Sequence, residues 1–113
     1  MLPKKRRIVR KDFSYISNSG KRLHSPIFLL NLAKNKANSA SQVAFSVSKK
    51  TEKSAVKRNK LRRLGYRVLE NNIKLIKPGF FAHFLFKKIK SFPEYEEIEK
   101  EVVELLSKSS VLE

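Results

Sequence analysis

The sequence predicts a small α+β domain, a sandwich in the order α-β-β-(β)-α-β-α built on one mixed sheet. Three observations carry that prediction. The chain has 113 residues, the size of one domain. Apolar residues make up 41% of it, enough for a core. Their spacing switches between period two and the helical period along the chain, and a strand, a helix of roughly 20 residues and a second strand follow one another as in a parallel crossover. No internal repeat or boundary divides residues 1–113, so they read as a single domain, with 1–9 as a basic arm.

Each element has its own warrant. Val9, Phe13 and Ile16 recur at helical spacing, predicting a helix over 10–19. Asn18-Ser19-Gly20 ends it, with Gly20 expected as a left-handed cap. Lys21–His24 suits a short strand stopped by Pro26, and Ile27–Leu32 a second strand. The polar stretch 34–41 reads as a loop. In 42–48, Val43, Phe45 and Val47 alternate with Ala44, Ser46 and Ser48, predicting a half-buried strand with one small, polar face. From Lys53 to about Asn72 a long helix is expected, with Leu61, Leu64, Val68 and Leu75 on its buried arc. Lys77-Pro78-Gly79 is a turn, and Phe80–Phe86 is apolar on both faces, like a strand covered on both sides. Ser91-Phe92-Pro93 leads into a last helix. Its first turn carries Glu94, Glu96 and Glu97, which suit the helix dipole, and Tyr95, Ile98, Val102, Leu105 and Leu106 form its stripe.

Charge narrows the function. There are 26 Lys and Arg against 10 Asp and Glu, a net charge of +16. Residues 1–67 hold 19 of the cations and only Asp12 and Glu52 as acids; the remainder holds 7 lysines and 8 glutamates. A polyanion-binding surface is therefore expected in the first 67 residues, with the rest as scaffold. Within it, Arg58, Asn59, Lys60, Arg62, Arg63 and Arg67 lie on the predicted helix away from the apolar arc, Lys57 is a further cation of the same helix, and Glu70 is the one acid from 53 to 72. An ordinary solvated face would mix in more glutamates for i,i+4 pairing. Arginine forks match phosphate oxygens, and the Asn59 amide both donates and accepts. Beside this helix, the small face of Ala44, Ser46 and Ser48 would let a nucleic-acid backbone lie close to the sheet. Lys49, Lys50 and Lys53 would border that surface, and Phe13 and Ile16 would form an apolar wall where a base can stack.

Other chemistries lack their residues. Cysteine is absent, which removes disulfides, thiolate metal sites and cysteine nucleophiles. The two histidines, His24 and His83, are isolated in sequence, with His83 reading as a core residue. Glycines are scattered at 20, 65 and 79, with no phosphate-cradling loop. No carboxylate cluster suits a two-metal nuclease, so neither catalytic nor metal-ligating residues are assigned. No apolar run approaches a membrane span, and the N-terminus lacks a secretory signal, so a cytoplasmic location is expected.

The stretch Phe45-Ser46-Val47-Ser48-Lys49-Lys50, followed by Ala55-Val56-Lys57-Arg58-Asn59-Lys60-Leu61-Arg62-Arg63, closely resembles the signature of the bacterial ribonuclease P protein component. Lys5-Arg6-Arg7, Asp12-Phe13, Gly20, Ser25-Pro26-Ile27-Phe28 and Lys77-Pro78-Gly79-Phe80 extend the resemblance over most of the chain. It implies a left-handed β-α-β crossover, against the general right-handed rule. It also implies the protein subunit of ribonuclease P, an endoribonuclease of tRNA 5′ maturation whose RNA subunit carries catalysis with Mg2+. The implied partners are that RNA and the 5′ leader of precursor tRNA, with no protein partner required. By position, Lys53, Lys57, Arg58, Asn59, Lys60, Arg62, Arg63 and Arg67 would contact the catalytic RNA, while Phe13, Ile16, Ser46, Ser48, Lys49 and Lys50 would line or border the leader cleft. Ser17, Asn31 and Tyr66 depart from the family pattern: aromatic residues are common at the first two positions and arginine at the third. Gly65 interrupts the helix at a cost of roughly 1 kcal/mol relative to Ala. The alternative is a ribosomal or ribosome-associated RNA-binding protein on a related fold, which accounts for the charge but not for the whole Arg-Asn signature.

Overall fold

A computed structural model describes residues 6–35, 39–88 and 91–109, and in residue 19 the backbone alone. Residues 1–5 of the basic arm and 36–38 of the predicted loop lie outside the described residues. The elements are α1 (Phe13–Ser19), β1 (Lys21–His24), β2 (Phe28–Lys34), β3 (Gln42–Ser46), α2 (Ala55–Asn72), β4 (Phe80–Phe86) and α3 (Tyr95–Lys108). The sheet order is β1-β2-β4-β3. β1 and β4 flank β2 in antiparallel pairing, and β3 pairs parallel with β4, so α2 is the crossover between two neighbouring strands. This is the α+β sandwich with a mixed sheet that the sequence predicts.

Register sorts the side chains onto two faces. Leu30 and Phe45 both pair with Phe84, and all three point to the side covered by α2 and α3. There Phe28, Phe45, Phe84 and Phe86 pack ring on ring, with Phe45 and Phe84 stacked at 4.9 Å, under Val68 and Leu69 of α2 and Ile98, Val102, Leu105 and Leu106 of α3. On the opposite face, Ala33, Ala44 and Phe81 meet Ile8 and Ile16 in a smaller cluster. The short α1 covers only part of this face.

Several sequence expectations need correction. Gly20 is in extended backbone, not a left-handed cap. It is glycine because a Cβ would lie 2.6 Å from the Ile16 carbonyl oxygen and 2.8 Å from that of Leu32, both fixed backbone atoms. Gly79, in the turn before β4, is the glycine with positive φ, at 92°. The third strand ends at Ser46 rather than Ser48, where a turn over 49–51 takes over. Arg10–Asp12 form a 3-10 turn before α1, and Arg7 bridges to Val43 with Ile8 buried beside it, so the end of the 1–9 segment packs on the fold.

The buried arc of α2 is also displaced. Its buried residues are Leu61, Gly65, Val68 and Leu69, at i, i+4, i+7 and i+8, while Leu64 is half-buried. Leu75 lies beyond the helix in a 3-10 turn and is 48% exposed. Gly65 is the reason. A Cβ there would fall 2.6 Å from the Phe45 ring, so its absence lets the helix settle onto that ring and brings Leu69 inward. A hydropathy pattern gives a glycine no weight and so points the arc elsewhere.

Candidate nucleic-acid interface

The basic helix begins with a built cap. The Ser54 side chain accepts a hydrogen bond from the Lys57 N–H at 3.3 Å, and Arg58 Nη1 donates to the carbonyls of Glu52 and Lys53, each at 2.9 Å. Arg58 is therefore half-buried and fastens the turn before the helix as well as standing on the basic face. Arg62, also half-buried, donates to the side-chain oxygen of Asn59. That contact orients both groups at the margin of the buried stripe. Lys53, Lys57, Asn59, Lys60, Arg63 and Arg67 are exposed. Tyr66 packs edge-on to Phe45 at 5.3 Å, and its hydroxyl accepts the Phe45 N–H at 3.3 Å. Its place is at the helix–sheet contact; Arg67, the next residue, points outward.

The second surface is the sheet face that α1 leaves partly open. Across it run two rows set by register: Arg22, Asn31, His83 and Ala44, then His24, Leu29, Leu85 and Ser46. Phe13 stands edge-on to His83 with ring centroids 4.8 Å apart, and Ser46 Oγ lies 2.8 Å from His83 Nε2. Burial lowers the His83 pKa from 6.5 to about 4, so the ring is neutral at physiological pH. Asn31 is 7% exposed, and its Oδ1 is buried without a hydrogen-bond partner among the described residues, which leaves an acceptor in this floor. A groove of about 320 Å³ continues past Ser46 and Ser48 along Leu29, Leu85 and Thr51 to Lys87 and Lys88.

Ser48 has a structural task there too: its oxygens accept the Thr51 N–H, and its hydroxyl donates to Thr51 Oγ1 at 2.9 Å. The resulting turn holds Lys49 and Lys50 out into solvent at the rim. Ile16 does not reach the surface. It is fully buried under α1, because the helix presents Phe13 and not Ile16 to the groove. Phe13, Ser46, Ser48, Lys49 and Lys50 are thus gathered around one surface and Ile16 is excluded from it. Asn31, the sheet position where the family resemblance allows a stacking aromatic, lies in the floor of the cleft, and so does His83, which the sequence alone assigns to the core. Their signal was strand parity, since both fall on the Ala44–Ser46 face once the register is known.

A ribonuclease P protein-family model matches residues 2–110. The chain belongs to the ribonuclease P protein family. It is 33% identical over 104 residues to the ribonuclease P protein component of Clostridium botulinum, covering 89% of this chain and 90% of that one. With the Clostridioides difficile protein component it shares 31% identity over 101 residues, 88% and 87% of the two chains. The ribonuclease P protein of Thermotoga maritima superposes with a TM-score of 0.80 at 26% identity, over 90% of this chain and 96% of that one. The Staphylococcus aureus ribonuclease P protein gives 0.84 at 22% identity, a likeness of fold, over 97% and 100%. RNA binding, work with ribonuclease P RNA and a part in tRNA processing as the accessory subunit of an endoribonuclease follow from membership of the ribonuclease P family. No helix among the described residues is long and apolar enough to cross a membrane.

Proposed function

We propose that this chain binds the catalytic RNA of ribonuclease P through the exposed cations of α2, and the 5′ leader of precursor tRNA along the open sheet face. Catalysis of leader removal then belongs to the RNA subunit with its Mg2+. In this reading the protein's contribution is binding and placement. The observation that carries this reading is the juxtaposition of the Arg58–Arg63 face with the Ser46–Lys50 strand end, joined by a short turn that Arg58 itself fastens.

A leader lying across Ser46 toward Lys49 and Lys50 adds binding energy far from the cleaved bond. Mature tRNA has no leader and gains none of it. Phosphate contacts make the gain largely independent of sequence, and the small Ser46 side chain lets a backbone lie close. The test is a pair of dissociation constants, precursor and mature tRNA, for the holoenzyme with native or Lys49→Ala/Lys50→Ala protein. Precursor affinity should fall while mature affinity stays nearly unchanged; equal losses for both would refute the leader assignment.

A further inference from the structure

At the end of the sheet opposite Ser46 lies a larger cavity, of about 670 Å³, which shares Arg22 with the open sheet face but no residue with the groove at Ser46 and Ser48. Pairing of β1 with β2 stops at Lys21–Leu32, while β2 runs on to Lys34 beside Phe80 of β4. Tyr15 of α1 fills in for the missing strand by donating its hydroxyl to the Lys34 carbonyl at 3.0 Å. The cavity is lined by Tyr15 and Phe80 and by four cations, Lys21, Arg22, Lys34 and Lys108, with no carboxylate among the described lining residues. The carboxyl end of α3 would by itself repel an anion. Ser109 moderates this by donating its hydroxyl to the Leu106 carbonyl at 2.8 Å.

We infer that this cavity receives one unpaired nucleotide of an RNA partner. Its volume is that of a pocket for an organic ligand and far exceeds a lone phosphate. The Tyr15 ring, 46% exposed, gives a base a stacking surface, and Lys21, Lys34 and Lys108 of the lining supply cations for its phosphate. This is a third RNA contact, separate from the α2 face and the leader groove.

Two experiments decide it. The full chain, labelled with nitrogen-15, is titrated with adenosine 5′-monophosphate, inorganic phosphate and a glutamate peptide. Saturable amide shifts at Tyr15, Lys21 and Lys34 are expected, with the nucleotide binding at least tenfold tighter than phosphate. Tyr15→Phe should keep that advantage and Tyr15→Ala should lose it. Equal binding of nucleotide and phosphate, shifts confined to 46–50, or tighter binding of the peptide would overturn the proposal. In the holoenzyme, Lys34→Gln/Lys108→Gln is compared with Lys74→Gln/Lys77→Gln, an exposed pair elsewhere. An affinity loss at least threefold beyond that control should appear either for the catalytic RNA or for precursor tRNA, which identifies the source of the nucleotide. No excess loss for either RNA would refute the site while leaving the leader assignment to its own test.

Discussion

At Gly65, helix propensity and packing pull in opposite directions. Alanine there would favour the helix by about 1 kcal/mol. Its methyl, however, would sit 2.6 Å from a ring held by Phe84 and Tyr66. Overpacking costs about 1–3 kcal/mol, so Gly65→Ala should lower the urea midpoint without changing the slope. A raised midpoint would mean that the Phe45 ring yields. His83 makes a second residue-scale prediction, through pH. Its folded pKa, about 4, lies below the ordinary 6.5, so the unfolded chain takes up the proton first as pH falls. The stability due to neutral His83 is complete above pH 6.5 and is lost between 6.5 and 4. After allowance for its partial solvent access it amounts to about 2 kcal/mol. His83→Gln should flatten stability over that window, and a titration of the His83 ring by NMR should inflect near pH 4; an inflection above 6 would contradict the burial argument.

Among the elements, α2 carries both core and cations, and its variants should separate the two tasks. Arg63→Ala removes an exposed cation and should weaken RNA binding with the melting temperature intact. Arg58→Ala also removes two hydrogen bonds to the turn before the helix, so it should cost about 1–2 kcal/mol of stability besides. Leu69→Ala should cost about 2–5 kcal/mol, since the side chain is fully buried. Thermal melts of the three variants check this order, and equal melting of Arg58→Ala and native protein would remove its fastening role. Element identity was legible in the sequence because strands and helices here differ plainly in period. The phase of α2 was not, because the decisive contact is made by a glycine. Likewise the cationic face of α2 could be read from composition and Asn31 from the family resemblance, whereas placing His83 in the cleft requires a strand register that local sequence does not encode. Ile16 and Phe13 look alike in sequence, and only the position of α1 on the sheet separates them.

Over the whole molecule, opposite charge is unevenly shared: the excess of cations lies in residues 1–67, while α3 bears glutamates. One of these is structural, as the Glu101 carboxylate accepts the Ser25 hydroxyl at 2.5 Å and the Ile27 N–H at 2.7 Å, tying the last helix to the β1–β2 turn. If the cationic half meets about six phosphates, log affinity for leader-bearing RNA should fall against log salt with a slope near −4. Titration at several salt concentrations measures it, and a slope near zero would remove the electrostatic account. β3 joins these charges to the groove. It turns Phe45 toward Gly65 and Tyr66 of α2 and turns Ala44 and Ser46 the other way, so a single strand stands between the two surfaces proposed above for the catalytic RNA and the leader. No hinge or linker intervenes to absorb slack. The protein can therefore act as a caliper, in which the span from one jaw to the other is set by the thickness of a strand and the seat of one aromatic ring.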